Sequence, residues 1–218
     1  MPFYAVGARL TTALTAMGFC TAWDATPACC ITENGGKNGG DSAYIKNVIQ
    51  LAVASLPVDA SRVYVVGIAN GGFMAQRLAC DAPELLAGVV AYASGIDAMQ
   101  CTSAARVPLL LLLGDADVVV PFAGGYNSAD ITFPGFLAAA ASWLTRSGCS
   151  NTPVLGSFVA KGAGARDESY SVITAEYTQG CDTNARFATW RIIKGQHFAS
   201  AGTSAIIFQR ALGWLMGF

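Results

Sequence analysis

The chain has 218 residues, of which 53% are hydrophobic and 12% are charged, and its 13 basic residues nearly balance its 14 acidic ones. This composition excludes a disordered chain, and no stretch concentrates lysine and arginine into a patch that would bind nucleic acid. The longest uncharged runs, such as 131–145, fall short of the about 20 apolar residues that span a membrane, so we expect a soluble protein that binds neither nucleic acid nor a membrane.

The predicted elements follow an irregular opening, residues 1–40, that is rich in cysteine and glycine. A helix is expected from Asp41, which can cap it, to Pro57, which closes it. The apolar pattern then predicts strand 62–67, a helix through Met74 and Leu78, strands 87–92 and 107–113, helix 136–146, β-rich segments 169–177 and 186–194, and helix 203–216. This alternation predicts one α/β domain over residues 1–218, with a mostly parallel sheet and helices on both faces.

A glycine-rich turn joins the first strand to its helix. Residues 67–72 read Gly-Ile-Ala-Asn-Gly-Gly, which matches the G-x-S-x-G nucleophile elbow except that Ala69 replaces the serine. In such an elbow the nucleophile sits on a strained turn, and the glycines at Gly67 and Gly71 let strand and helix approach closely. On its own, this pattern also fits a plain strand-to-helix turn.

Two further loops follow predicted strands in the order acid, then histidine. Asp117 comes just after strand 107–113, and His197, the only histidine, comes just after segment 186–194. Each residue has an ordinary alternative, a turn aspartate or a solvated histidine. The chain order of turn, acid and histidine is the order of an α/β-hydrolase triad, which favours a shared catalytic edge.

Segment 62–80 resembles the nucleophile region of secreted polyhydroxybutyrate depolymerases and of the related feruloyl and acetylxylan esterases, which are α/β-hydrolases. Their pattern is R-V-Y-x-x-G-x-S-N-G-G followed by M-A-x-x-L-A-C, and this chain reads RVYVVGIANGGFMAQRLAC. The resemblance covers most of the chain, including Trp23 with Cys29 and Cys30, the Gly114-x-x-Asp117 loop and the Gly195-x-His197 loop.

The resemblance implies a role for each matching residue. Ala69 occupies the nucleophile position, Asp117 is the orienting acid, His197 is the general base, and the backbone N–H of Asn70 is an oxyanion donor. It also implies an apolar acyl pocket, for which the sequence offers three aromatic residues near the predicted site: Trp23, Phe122 and Phe198. Each of them also fits an ordinary core or rim position. The implied activity is carboxylic-ester hydrolysis by a Ser-His-Asp mechanism in a serine-bearing parent, without a cofactor.

Two departures from the family bear on activity. Loss of the triad serine costs on the order of 10⁶ in turnover, so we expect this chain to be inactive. The early strand and HG-type loop that supply a second oxyanion donor are not found in 1–40, which predicts a missing N-terminal strand region. The alternative is a non-catalytic protein that binds an ester, polyester or plant-wall fragment. Whether Ala69 is natural or engineered, and whether the front end is complete, stays open.

A single imidazole excludes clustered-histidine metal sites, and Asp115 with Asp117 alone would make a thin cation site, so no metal is expected. The protein should be a monomer, with a sheet edge open to strand pairing. The seven cysteines favour an oxidising, extracellular compartment, although 1–22 is a poor signal peptide. We predict a Cys149–Cys181 disulfide, and separate bonds from Cys29 and Cys30 to partners among three other cysteines, Cys20, Cys80 and Cys101.

Overall fold

A computed structural model describes residues 22–26, 40–96, 101–104, 106–126, 132–164 and 167–217. Within these ranges lie four α-helices: α1 (Gly40–Ser55), α2 (Asn70–Asp81), α3 (Phe136–Ser147) and α4 (Ala201–Met216). They also contain eight strands: β1 (Tyr64–Ile68), β2 (Gly88–Tyr92), β3 (Leu109–Gly114), β4 (Gly125–Tyr126), β5 (Thr132–Phe133), β6 (Val154–Lys161), β7 (Ser169–Tyr177) and β8 (Phe187–Ile192).

Six strands form one sheet in the order β1-β2-β3-β8-β7-β6. The pairs β1–β2, β2–β3 and β3–β8 are parallel, while β8–β7 and β7–β6 are antiparallel. Only β7 therefore runs against the other five strands of this sheet. The prediction of a mostly parallel sheet is confirmed, and β4 and β5 form a separate small hairpin.

Helices cover both faces of the sheet, as predicted. Trp190 and Arg191 are neighbours in β8, so their side chains leave opposite faces. The Trp190 ring contacts Phe158 and lines a groove beside α4. The Arg191 guanidinium lies over the ring of Phe122, which packs against Phe136 of α3. Between these layers β2 and β3 are buried along their whole length, which is typical of central parallel strands.

A buried amide joins the elements on the α3 face. Gln76 of α2 accepts a hydrogen bond from the Trp143 indole of α3 (2.9 Å) and from the backbone of Ile96 (3.2 Å). Its Nε2 donates to Ser94 Oγ at 2.9 Å. Because buried polar groups are costly unless they are paired, these bonds fix α2, α3 and the end of β2 against one another.

Several details differ from the sequence predictions: the β4–β5 hairpin was not predicted, and α4 begins at Ala201 rather than at 203. Strand β6 was not predicted, because most of its side chains are exposed and no alternating apolar pattern marks it. Helix α1 begins at Gly40 rather than after Asp41. The Asp41 carboxylate instead accepts a hydrogen bond from the backbone N–H of Asp24 at 2.8 Å, so it ties the segment 22–26 to the helix.

The described cysteines form two disulfides, Cys80–Cys101 and Cys149–Cys181. The second confirms the predicted pair. The first corrects the prediction for Cys29 and Cys30, because Cys80 and Cys101 bond each other and are not partners for them. Cys20, Cys29 and Cys30 themselves lie outside the described residues, as does most of the predicted opening segment.

Candidate active site

The three loops singled out in the sequence leave the same edge of the sheet. Strand β1 ends beside the end of β2, with Ile68 opposite Tyr92, and Tyr92 lies opposite Leu112 of β3. Leu112 in turn pairs with Trp190 of β8. Ala69 therefore follows β1, Asp117 follows β3 and His197 follows β8 at the carboxyl ends of parallel strands, where open α/β sheets place their sites.

Ala69 adopts the strained backbone of a nucleophile elbow. Its φ is 51° and its ψ is −122°, a conformation that residues with a Cβ rarely adopt. The backbone N–H of Ala69 donates to Tyr92 O at 2.9 Å, and its carbonyl accepts from Phe73 N at 3.0 Å. Ala69 is thus fixed on one side by β2 and on the other by the first turn of α2.

The glycines of the turn differ in their surroundings. A Cβ on Gly67 would lie 2.0 Å from the carbonyl oxygen of Gly71, and one on Gly72 would lie 2.4 Å from Ser94 Oγ. A Cβ on Gly71 would meet no atom within 4 Å. The expectation that Gly67 and Gly71 both permit close approach is therefore correct for Gly67 and wrong for Gly71, because the close contacts fall on Gly67 and Gly72.

Asp117 and His197 are hydrogen-bonded to each other. His197 Nδ1 lies 2.8 Å from Asp117 Oδ2, and the Asp117 side chain is fully buried. The other carboxylate oxygen accepts from the backbone N–H groups of Val119 and Val120, each at 2.8 Å. A carboxylate oxygen accepts from an imidazole N–H, so the tautomer that fits this contact carries its proton on Nδ1 and leaves Nε2 as the acceptor.

The acid and histidine loops touch at two glycines. A Cβ on Gly114 would lie 2.2 Å from the carbonyl oxygen of Gly195, and one on Gly195 would lie 3.0 Å from Gly114 Cα. The backbone N–H of Ala116 donates to the same Gly195 oxygen at 3.0 Å. The two loops therefore cross backbone to backbone, which brings Asp117 and His197 together.

Several known proteins that are similar to this chain in sequence are esterases by name. The chain is 38% identical over 73 residues to acetylxylan esterase A of Emericella nidulans, matching 34% of this chain and 23% of that protein. It is 26% identical over 141 residues to feruloyl esterase B of Piromyces equi, matching 61% of this chain and 25% of that protein. It is also 30% identical over 109 residues to a putative esterase, NocK, of Nocardia uniformis subsp. tsuyamanensis, matching 49% of this chain and 31% of that protein. No protein-family model matches the chain.

A solved structure, the acetyl xylan esterase from Aspergillus awamori, superposes on 89% of this chain and 72% of its own length, with a TM-score of 0.57 and 16% identity. The chain has the α/β-hydrolase fold. Its curated relatives are carboxylic-ester hydrolases by name, and the matched segments span less than a third of their lengths.

In an α/β-hydrolase the residue after the nucleophile opens the elbow helix, and here that residue is Asn70. Its backbone N–H belongs to the first turn of α2, the end of a helix that carries partial positive charge. The side chain has a second contact that the sequence did not reveal. Its Oδ1 accepts from Trp23 N at 2.6 Å and its Nδ2 donates to Trp23 O at 3.0 Å.

The three predicted pocket aromatics lie in different surroundings. Phe198 is 57% exposed, and its ring meets the His197 ring edge-on with centroids 4.3 Å apart. Trp23 is half-buried and held over the elbow by Asn70. Phe122 packs against Phe136 at 5.0 Å between ring centroids. Phe198 is thus in direct contact with the predicted base, whereas Phe122 belongs to the packing behind the acid loop.

Tyr92, at the end of β2, neighbours Ala69 and Asp117. It was not singled out in the sequence, because it is simply the last residue of an apolar strand. Burial and, second, the negative charge of Asp117 raise the pKa of its hydroxyl to about 12. The backbone N–H of Ala199 acts in the opposite direction and lowers that pKa. The Tyr92 hydroxyl is therefore influenced both by Asp117 and by the segment just after His197.

Among the described residues, no group of three or more His, Cys, Asp and Glu side chains is arranged to hold a metal ion. Within the same ranges no helix is both long and apolar enough to cross a membrane. A groove of about 1080 Å³ lies between α4 and strands β6 to β8. Ala69, Asp117 and His197 do not line it.

Proposed function

We propose that this chain carries the catalytic edge of a carboxylic-ester hydrolase in which alanine replaces the nucleophilic serine. The observation that carries the proposal is the buried Asp117 carboxylate bonded to His197 at 2.8 Å. A strained non-glycine turn at Ala69 lies at the same sheet edge. The esterase names of the curated relatives support the same reaction class.

In the serine-bearing form, the hydroxyl at position 69 attacks the ester carbonyl while His197 Nε2 takes its proton. Asp117 keeps the proton of the imidazole on Nδ1 and stabilises the imidazolium that forms. The backbone N–H of Asn70 donates to the oxyanion, and His197 then returns the proton to the leaving alcohol. Water then attacks the acyl-enzyme while His197 takes its proton, and His197 returns that proton to the oxygen at position 69 as the acid is released.

In the present chain the methyl group of Ala69 has no lone pair and forms no acyl-enzyme. The Asp117–His197 pair and the strained turn at position 69 are retained, so we infer that the chain binds an ester without turning it over. This second function, a non-catalytic ester-binding protein, is favoured by Ala69 alone. The exposed Phe198 ring beside His197 offers an apolar surface for the acyl group, with acetyl or feruloyl esters of polysaccharides as the candidate ligands.

The test is to restore the nucleophile with Ala69→Ser and measure hydrolysis of p-nitrophenyl acetate and of a feruloyl ester. We expect turnover at least about 10³-fold above the native chain, a lower bound set well below the factor of about 10⁶ that loss of a triad serine removes. The double variant Ala69→Ser/His197→Ala is the control and should return to the native rate. If Ala69→Ser folds and gains no activity on either ester, the proposal is wrong.

We also propose that the protein acts outside the cell. The two disulfides, Cys80–Cys101 and Cys149–Cys181, support an oxidising compartment, because such bonds are rare in reducing cytosol.

A further inference from the structure

Asp115 lies two residues before the proposed triad acid and makes three contacts with β8 and the turn after it. Its Oδ2 accepts from Arg191 Nε at 2.9 Å and also lies 2.9 Å from Arg191 Nη2. Its Oδ1 accepts from the backbone N–H of Lys194 at 2.6 Å. One carboxylate on the acid loop therefore holds both the last part of β8 and the turn that leads to His197.

The turn at 192–195 contains a strained backbone. Lys194 has φ 57°, a left-handed conformation that costs a residue with a Cβ on the order of 1 kcal/mol. Gly195 N donates back to Ile192 O at 3.0 Å, which closes the turn. The charge-assisted bond from Lys194 N to Asp115 favours this strained backbone over more extended ones, and His197 follows three residues later.

Arg191 makes a second contact with the acid loop, through the ring of Phe122. Its guanidinium carbon lies 5.1 Å from the ring centroid of Phe122, which follows Asp117 in the same loop. The Arg191 side chain is half exposed, and exposed ion pairs contribute little to global stability, about 0–1 kcal/mol. A two-pronged contact of Arg with one carboxylate oxygen, combined with stacking on a ring, instead fixes direction and distance, which lysine does not reproduce.

We propose that Asp115 and Arg191 are positioning residues for His197. Together they hold the turn 192–195 against the acid loop, so that the imidazole keeps its Nδ1–H on Asp117. Neither residue touches the reacting atoms. The catalytic consequence rests on the proposed esterase function, whereas the geometric claim concerns His197 in the native chain.

The geometric claim can be tested in the native Ala69 chain, because its single histidine gives one imidazole signal in NMR. Long-range proton–nitrogen correlation reports the tautomer, and solvent exchange reports how well the Nδ1–H is held. We expect Asp115→Asn to populate the other tautomer and to speed Nδ1–H exchange about tenfold, as local opening becomes more frequent. Arg191→Lys, which keeps the charge and leaves the Lys194 bond intact, should give a smaller change in the same direction.

Asp59 provides a matched control. Its Oδ1 accepts from the backbone N–H of Ser61 at 2.9 Å and its Oδ2 from Arg62 Nε at 2.8 Å. Like Asp115, Asp59 therefore bonds one backbone N–H and one arginine, but it lies before β1 and away from His197. Asp59→Asn should leave the His197 signal unchanged. If folded Asp115→Asn and Arg191→Lys also leave the tautomer and the exchange rate unchanged, Asp115 and Arg191 are not positioning residues. If Asp115→Asn does not fold, Arg191→Lys alone decides.

The catalytic consequence is measured in the Ala69→Ser background. Because small misplacements of catalytic groups are costly, Asp115→Asn should lower kcat about tenfold at little change in KM, while Asp59→Asn stays within about twofold. A change in the NMR signal with no activity in any Ala69→Ser variant would contradict the esterase proposal alone. Full activity of Ala69→Ser/Asp115→Asn with an unchanged NMR signal would contradict the positioning role alone.

Discussion

At the scale of single residues, Asp117 makes both kinds of contact that the sequence presented as alternatives. One oxygen accepts from the backbone of Val119 and Val120, as a turn aspartate does, and the other accepts from His197. Burying a carboxylate costs several kcal/mol unless its oxygens are satisfied. The turn bonds therefore offset the cost of burying the Asp117 carboxylate beside His197, as the proposed orienting role requires.

Replacing Asp117 by asparagine tests this division. In the Ala69→Ser background, the new amide can keep its oxygen on the two backbone N–H groups and then presents its NH₂ to His197 Nδ1. The imidazole must accept there and carries its proton on Nε2, the wrong tautomer for a base. We expect kcat to fall by about 10⁴ with little change in fold.

The matched control for that measurement is Asp182→Asn, at an aspartate that pairs with Arg106 at 3.3 Å, next to the Cys149–Cys181 disulfide. It should leave kcat within about twofold of the parent. Equal losses in Asp117→Asn and Asp182→Asn would indicate a general structural effect and contradict the orienting role.

At the scale of elements, the close approach of β1 and α2 depends on the one glycine of the turn that lies against the backbone of the other element, Gly67. Gly67→Ala would place a Cβ 2.0 Å from the Gly71 carbonyl oxygen, where only a shift of strand against helix can relieve the clash. Gly71→Ala meets open space in the first turn of α2. We expect Gly67→Ala to lower the free energy of unfolding by about 2–4 kcal/mol, and Gly71→Ala to raise it by about 0.5 kcal/mol through helix propensity.

Denaturant unfolding of the two alanine variants measures this difference directly. A Gly67→Ala variant as stable as the native chain would show that strand β1 and helix α2 do not approach as closely as described.

The sequence predicted elements better than contacts between distant residues. Strand and helix periodicity located β1 to β3 and the four helices, because buried elements carry a regular apolar pattern. Strand β6, with its exposed side chains, carries no such pattern. The Asp115–Arg191 and Asn70–Trp23 bonds join residues 76 and 47 positions apart, and nothing in local spacing reveals which of many polar side chains meet. The sequence could predict that the loops of Ala69, Asp117 and His197 lie together only because the carboxyl ends of parallel strands meet at one edge of the sheet.

At the scale of the whole molecule, the low charge and high apolar content fit a sheet with buried central strands and helices on both faces. The antiparallel strands β6 and β7 extend that sheet beyond β8 and are far less buried. The Cys149–Cys181 disulfide closes the segment that contains these two strands, with a sequence separation of 32. This bond therefore closes a segment whose strands are less buried than β2 and β3.

Replacing both cysteines, Cys149→Ser with Cys181→Ser, should lower the free energy of unfolding by about 3 kcal/mol in the chain-entropy model. For a domain of this size that corresponds to a Tm lower by about 6–12 °C. Thermal unfolding followed by circular dichroism measures the shift. A Tm unchanged within error would show that the bond does not constrain the unfolded chain as that model requires.

The central claim is that the described Asp117–His197 pair is placed to activate a hydroxyl at position 69, which Ala69 does not supply. It is tested most directly by exposing the native chain, Ala69→Ser and Ala69→Ser/His197→Ala to a fluorophosphonate and measuring intact mass. A phosphonate reacts rapidly only with a hydroxyl that a positioned imidazole activates. We predict one phosphonyl adduct at position 69 in Ala69→Ser, and none in the native chain or the double variant. A folded Ala69→Ser that stays unlabelled, or labelling that persists without His197, would contradict the account.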